Sequence, residues 1–227
     1  GAEEWKGVPN GLPVTELSLP EYDNNHNSCI WGYMWGYDWN SAEKGDNISK
    51  PKTDADFTPL GLMNYSEVCF LKAEAALRGW QGAGDAKTNY ENGIRASFEE
   101  MRANAPKDSY SKSNDDKYIS EGNVAWNNAD SFEAKLEKII TQKWIGIYPN
   151  SEEAWAEFRR TGYPKLNPVK QSLEPTINPK NGEFIKKLRY VDNELSNNKE
   201  YATDPTLNGG QGDGLSVRVW WDTARYK

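Results

Sequence analysis

Aromatic side chains between residues 31 and 39 are the part of the sequence best suited to binding a small molecule. Every odd position there is aromatic: Trp31, Tyr33, Trp35, Tyr37 and Trp39. An extended backbone would place all five rings on one face, because alternate side chains of a strand point the same way. Exposed indole and phenol rings can cover the apolar face of a sugar, and Asp38 and Asn40 could hydrogen-bond its hydroxyls. We therefore predict a carbohydrate site here, with packing against helices or another part of the protein as the alternative.

Hydrolytic chemistry is the competing hypothesis, because paired carboxylates are easily found among 34 acidic residues. Glu152 with Glu153 and Asp54 with Asp56 are examples. Neither pair belongs to a recognisable cleft motif, and glycoside hydrolysis needs a set carboxylate separation. His26 is the single histidine and stands in an Asn-Asn-His-Asn loop, which does not indicate a histidine metal site or a Ser-His-Asp triad. The sequence thus predicts a protein that is not an enzyme and that needs no metal or cofactor.

Two further motifs are better explained as structure than as binding sites. The glycine-rich stretch 209–214 does not stand between a strand and a helix, so it is not a phosphate-binding loop. Asp213 within it could join a calcium site, but the EF-hand spacing is absent. Arg159 and Arg160 could form an anion site, although pairing of one with a carboxylate such as Glu157 or Glu153 is the simpler interpretation.

Composition narrows the function classes further. The net charge is -7 and the basic residues form no stripe, which argues against nucleic acid as a partner. The sequence has no run of about 18 apolar residues. Aromatic residues make up 12% of the chain, and disordered chains are poor in them. Of the two cysteines, Cys69 lies in an apolar helical pattern and is predicted to be a buried free thiol.

The elements that must position the aromatic run are predicted to be helices. Apolar residues recur at helical spacing in 64–80, from Asp85 through Met101 with Pro106 beyond the end, from Asp130 to Tyr148, and from Asn150 to Thr161. Asn64 with Glu67, Asp130 with Glu133, and Asn150 with Glu153 resemble capping boxes. The predicted helix stripes include Phe70, Ala73, Leu77, Trp80, Tyr90, Ile94, Phe98, Met101, Phe132, Leu136, Ile140, Trp144, Ile147, Trp155 and Phe158.

The predicted fold class is mostly α, with tetratricopeptide-like helical hairpins, long irregular aromatic-rich loops and minor short strands. The first two helices flank a glycine-rich turn and form one such hairpin. We divide the chain into an aromatic-rich loop segment (1–63), a helical core (64–165) and a loop-rich tail (166–227). Extended segments are predicted at Glu183–Val191 and Leu215–Trp221, the latter alternating Leu215, Val217, Val219 and Trp221 on one side.

Several long sequence segments of the helical core resemble the SusD/RagB family. They are NYSEVCFLKAEAALRG at 64–79, TQKWIGIYP at 141–149 and EAWAEFRRTGYP at 153–164. VRVWWD at 217–222 looks like the closing segment of the family, and VPNGL at 8–12 is similar to a mid-chain segment. The stretch LRYVD at 188–192 departs from the family pattern by lacking a proline. The resemblance identifies the chain as a C-terminal portion of such a protein.

The resemblance implies a surface glycan-binding lipoprotein on the outer face of the outer membrane, which delivers captured saccharide to a SusC-like TonB-dependent transporter. Some members of the family capture peptides instead, and a tetratricopeptide-like interaction scaffold is the further alternative. The lipid anchor and secretion signal implied by the family are not expected within this chain, because its first residues have neither a basic nor an apolar region.

Overall fold

The computed structural model describes residues 61–104, 111–172 and 174–222. These residues fall into two compact units, 61–158 and 159–222. The first unit contains α1 (Tyr65–Leu77), α2 (Ala86–Asn104), α3 (Asp115–Ser120) and α4 (Phe132–Gly146), with a 3₁₀ turn at Lys112–Asn114. Helix α5 (Ser151–Thr161) begins in the first unit and ends in the second. The second unit contains a 3₁₀ turn at Pro179–Asn181, α6 (Asp192–Asn197), α7 (Lys199–Ala202) and α8 (Leu207–Gly210). The predicted mostly-α class is confirmed.

Helices α1 and α2 form the predicted hairpin. The backbone N–H of Thr88 donates to Asp85 Oδ1 at 2.7 Å, so Asp85 caps α2 as expected. Ser66 donates through both its backbone N–H and its hydroxyl to the carboxylate of Glu100, at 3.1 and 2.8 Å, which joins the start of α1 to α2. Gly93 permits the close approach of the two helices, since a Cβ there would lie 2.7 Å from the Phe70 ring.

The core of unit 61–158 is formed where α4 packs against both helices of the hairpin. Phe70 and Tyr90 are fully buried and meet edge to face with ring centroids 6.4 Å apart. Buried residues of α4 complete this core: Leu136, Ile139 and Ile140. Cys69 is a buried free thiol, as predicted.

Some predicted details of the helices are wrong. Trp80 does not continue the buried stripe of α1 but is 67% exposed, because the helix ends at Leu77 and Gly79 turns the chain with a φ of 77°. Asn64 precedes α1 without a side-chain capping bond. Ser131, and not Asp130, caps α4 by accepting from the backbone N–H of Ala134 at 3.2 Å. The Asn150 cap of α5 is confirmed, with Glu153 N donating to Asn150 Oδ1 at 3.2 Å.

The two segments predicted to be extended do not form strands in the described part of the chain. They do meet, since the backbone N–H groups of Lys186 and Lys187 both donate to the Leu215 carbonyl, at 2.7 and 3.3 Å. Two donors on one acceptor do not repeat as a strand ladder does. Turn bonds from Val217 N to the Gly214 carbonyl and from Asp222 N to the Val219 carbonyl also divert the backbone.

Candidate functional site

The predicted aromatic site lies outside the residues that the structure describes. All seven of its members are in the stretch 1–60: Trp31, Tyr33, Trp35, Tyr37, Asp38, Trp39 and Asn40. The same holds for His26, Asp54 and Asp56. The described residues follow this run in the chain. They include residues considered above for catalysis and for metal binding.

A buried lysine in the first unit pairs with one of the candidate catalytic carboxylates, Glu153. Lys143 on α4 has a side chain only 1% exposed. Its Nζ donates to Glu153 Oε1 at 2.7 Å and lies 3.6 Å from Glu67 Oε1 and 3.7 Å from Glu157 Oε1. We call Lys143 and these three glutamates the buried lysine cluster.

The buried lysine cluster joins α1, α4 and α5 through one cation. Burying an ammonium group is costly unless carboxylates compensate its charge, and here three do so. An ammonium that is 1% exposed cannot reach a ligand in solution, so its contribution is to position helices. Glu152 points elsewhere, its carboxylate accepting from the Ser151 hydroxyl at 3.1 Å. The Glu152–Glu153 pair proposed for hydrolysis therefore has its two members in different environments.

Asp213, the residue that could have joined a calcium site, is surrounded by donors instead. Its carboxylate forms an ion pair with Lys187 and accepts from the backbone N–H of Tyr190 at 3.0 Å. The Nε of Arg189 lies 3.8 Å away. A carboxylate already matched by cations is a poor ligand for another cation. Within the described ranges, no group of three or more His, Cys, Asp or Glu side chains is arranged to hold a metal ion.

A second charged group in unit 159–222 surrounds Asp222, whose side chain is 1% exposed. Arg218 Nη1 donates to Asp222 Oδ1 at 2.5 Å. Burial lowers the pKa of Arg159, and the negative charge of Asp222 opposes that shift. Burial likewise lowers the pKa of Lys186, again against the attraction of Asp222. We call Arg159, Lys186, Arg218 and Asp222 the Asp222 cluster.

The Trp221 ring of the closing segment contacts the Asp222 cluster. The guanidinium carbon of Arg159 lies 5.0 Å from the centroid of the Trp221 ring, and Arg159 Nη1 donates to the Lys186 carbonyl at 3.2 Å. Trp221 is 37% exposed and Trp220 is 92% exposed. Sequence reasoning put Trp221 on the packed side of this segment but did not single out Trp220.

No described helix is long and apolar enough to serve as a membrane span. Exposed rings also occur in the first unit, where Trp80 and Tyr65 are each 67% exposed.

Comparison with known proteins identifies the relatives of the chain. The family model described as SusD-like, "Susd and RagB outer membrane lipoprotein", matches residues 19–222. A SusD-like protein from Bacteroides thetaiotaomicron is 32% identical with a TM-score of 0.58, covering 77% of this chain and 38% of its own. No curated protein matches the chain.

Two further solved structures agree with this result. A chitin-binding SusD homolog from Flavobacterium johnsoniae is 37% identical with a TM-score of 0.54, and the match covers 71% of this chain and 36% of that protein. A SusD homolog from Bacteroides uniformis is 32% identical with a TM-score of 0.58, covering 76% of this chain and 39% of its own. The chain thus spans less than two fifths of the length of these relatives.

Proposed function

The chain belongs to the SusD-like family, and we propose that it is part of a non-catalytic surface protein that captures polysaccharide or oligosaccharide. In this proposal the captured glycan passes to a SusC-like TonB-dependent transporter of the outer membrane. The whole protein is attached to the outer face of that membrane by a lipid anchor. Trp31, Trp35 and Trp39 stack on sugar rings together with Tyr33 and Tyr37, while Asp38 and Asn40 hydrogen-bond the sugar hydroxyls.

The observation that carries the proposal is the alternating aromatic run in a chain of this family. Flat rings with few rotatable bonds suit the apolar face of a pyranose and lose little conformational entropy on binding. The chitin-binding relative from Flavobacterium johnsoniae supports a saccharide as the ligand class. Chitooligosaccharides are therefore the first ligands to try.

The charged groups of the described residues favour binding over catalysis. A general acid must reach the leaving group, and a nucleophile must be open to the substrate. Glu153 has a side chain that is 36% exposed, but its carboxylate is engaged in an ion pair with Lys143. Asp213 and Asp222 form ion pairs with Lys187 and Arg218. The chemistry proposed for this chain is accordingly stacking and hydrogen bonding, with no bond made or broken.

The proposal is tested by isothermal titration calorimetry against soluble chitooligosaccharides, other neutral polysaccharides and oligopeptides. Three proteins are compared: the natural chain, a Trp31→Ala/Trp35→Ala/Trp39→Ala variant, and Trp80→Ala as a matched control. Trp80 is a largely exposed tryptophan that lies outside the aromatic run. Circular dichroism verifies that each variant is folded.

We expect a neutral glycan to bind the natural chain and the Trp80→Ala control equally, and the triple variant to lose that binding. Oligopeptide binding without glycan binding would replace the saccharide ligand by a peptide. A folded chain that binds neither class would contradict capture by this region and favour an interaction scaffold. Delivery to the barrel is tested separately, by co-purification of the full-length lipoprotein with a TonB-dependent transporter from solubilised outer membranes.

A further inference from the structure

Asparagine followed directly by glycine is a reactive pair, and the described residues contain it at 92–93, 181–182 and 208–209. The backbone nitrogen of the glycine can attack the side-chain carbonyl carbon of the asparagine and close a five-membered ring. Glycine favours this reaction because it has no Cβ to crowd the attacking nitrogen. The local sequence makes all three pairs reactive, so their structural environments decide which of them reacts first.

The pair Asn181–Gly182 stands in an exposed turn of unit 159–222. Both residues are exposed, and a Cβ built on Gly182 would meet no atom of the described residues within 4 Å. In the part of the chain that the structure describes, the side-chain amide of Asn181 forms no hydrogen bond. The Gly182 N–H donates to the Pro179 carbonyl at 2.9 Å. This bond closes a single exposed turn, so it can open without disturbing a core.

The pair Asn92–Gly93 is held closed by the first unit. It lies inside the 19-residue helix α2, where each N–H donates to the carbonyl four residues earlier. Gly93 is buried, and a Cβ there would lie 2.7 Å from the Phe70 ring. Freeing its backbone nitrogen therefore requires α2 to open against α1.

The pair Asn208–Gly209 is restrained through the asparagine side chain. Asn208 is half-buried, and its Nδ2 donates to the Gly212 carbonyl at 2.6 Å. This hydrogen bond holds the same amide that has to turn toward the Gly209 nitrogen. Asn208 should consequently react more slowly than Asn181.

We propose that Asn181 is a site of spontaneous deamidation in the folded protein. The Gly182 nitrogen gives up its proton to solvent and forms a bond to Asn181 Cγ, while the Cγ–Nδ2 bond breaks and ammonia leaves. Water then adds to one of the two carbonyl carbons of the cyclic imide. Opening at one carbon gives aspartate at position 181, and opening at the other gives isoaspartate.

The product changes the turn in two ways. It adds one negative charge to a chain whose net charge is -7. Isoaspartate also places an extra methylene in the main chain, which the short 3₁₀ turn Pro179–Asn181 cannot absorb while keeping the bond from Gly182 N to the Pro179 carbonyl. The inference is independent of glycan binding, so either proposal can fail alone.

The test follows deamidation of the natural chain at mildly alkaline pH by peptide mapping with mass spectrometry. One sample stays folded and a second is unfolded in guanidinium chloride, where the protection by structure is lost. Isoelectric focusing of two variants gives a second measurement. Both variants carry Asn10→Gln, because Asn10–Gly11 is a fourth pair, outside the described residues. One adds Asn181→Gln and its matched control adds Asn208→Gln, since glutamine keeps the amide but must close a larger ring.

In the folded chain, we expect Asn181 to react about fivefold faster than Asn208, because one hydrogen bond contributes a factor of that size. It should react at least about a hundredfold faster than Asn92, whose reaction requires opening of the core. The three rates should become alike in guanidinium chloride. Acidic species should form slowly in the Asn181→Gln variant and at the parent rate in the Asn208→Gln control.

Two results would overturn the inference. One is a folded chain in which Asn92 or Asn208 reacts as fast as Asn181. The other is equally rapid formation of acidic species in the two variants. The peptide map needs no substitution at the turn, so the ranking stays decisive even if a variant fails to fold.

Discussion

Lys143 in unit 61–158 has a side chain that is 1% exposed, whereas Arg218 in unit 159–222 has one that is 36% exposed. Both cations pair with a carboxylate, Lys143 with Glu153 and Arg218 with Asp222. Charges buried among helices position those helices, and charges at a surface can also contact a ligand. The cation of the first pair is therefore enclosed by helices, whereas the cation of the second pair reaches the surface.

The largest expected effect comes from replacing the central lysine of the first unit. Lys143→Met would leave Glu67, Glu153 and Glu157 without their shared cation, and breaking a buried ion pair costs about 3 to 5 kcal/mol of unfolding free energy. The matched change Lys187→Met leaves Asp213 with the Tyr190 N–H and Arg189. We therefore expect it to cost only about 1 to 2 kcal/mol.

Urea unfolding followed by circular dichroism measures both lysine variants. Equal losses of unfolding free energy in Lys143→Met and Lys187→Met would contradict this expected difference, because the two units would then depend on their ion pairs to the same degree. A Lys143→Met protein as stable as the natural chain would remove the positioning role of the buried lysine cluster.

The next effect tests how closely the first unit is packed. Alanine normally stabilises a helix interior relative to glycine by about 1 kcal/mol. At Gly93, however, the added Cβ would lie 2.7 Å from the ring of Phe70, which is fully buried. Overpacking should dominate, so we expect Gly93→Ala to destabilise the protein by about 2 kcal/mol.

Gly146→Ala is the matched control for Gly93→Ala, since it faces the same Phe70 ring at 3.3 Å. A smaller loss is expected there because the ring needs to shift by only a few tenths of an ångström. Thermal unfolding of the two variants measures the difference. Stabilisation by Gly93→Ala would show that α1 and α2 are not in close contact.

Alkaline pH offers a smaller test of the same closed core. Tyr90 is fully buried and its hydroxyl donates to the Val124 carbonyl at 2.7 Å. Burial raises the pKa of Tyr90. The stability that this group contributes is thus complete below the ordinary tyrosine pKa near 10 and is lost as pH rises above it, by about 1.4 kcal/mol per pH unit.

Comparing urea midpoints of the natural chain and Tyr90→Phe from pH 8 to pH 11 isolates this contribution, because the other tyrosines are common to both. The variant should be less stable by about 1 kcal/mol at pH 8, where it lacks one hydrogen bond. That gap should close or reverse by pH 11. A gap that stays constant would mean that the Tyr90 phenol ionises equally in both states.

The smallest stability effect is expected at the exposed rings. Trp220→Ala and Trp80→Ala remove side chains that are 92% and 67% exposed. Each should change the unfolding free energy by less than about 0.5 kcal/mol, as surface substitutions usually do. A large loss in Trp220→Ala, measured by urea unfolding, would assign that ring a structural role and weaken the contrast between the units.

The sequence predicted the hairpin and α4 because their apolar residues recur at helical spacing. Tyr90 and Ile94 on α2, and Leu136 and Ile140 on α4, are buried as that pattern requires. The short helices α3 and α6 were not predicted, since six residues each are too few to display a stripe. Trp80 was wrongly assigned to the buried stripe of α1 because it is an apolar residue at helical spacing. The helix has already ended before it, at Leu77, and Gly79 turns the chain.

The buried lysine cluster escaped sequence reasoning because its members are far apart in the chain. Lys143 stands among apolar residues of α4, and such a cation requires a partner. Nothing in the sequence identifies Glu67, Glu153 and Glu157 as those partners. The segments 64–79, 141–149 and 153–164 each contribute at least one residue to this cluster. The cluster therefore gives a physical reason for the three segments to occur together in one chain.

Glycan binding by residues 31–40 is the proposal that most needs a direct test. Hydrogen–deuterium exchange of the natural chain, with and without the tightest glycan of the binding panel, tests it without any substitution. If residues 31–40 bind glycan, exchange should slow in peptides that cover 31–40 and stay unchanged in α1, α2 and α4. Protection confined to those helices, with none in 31–40, would contradict it.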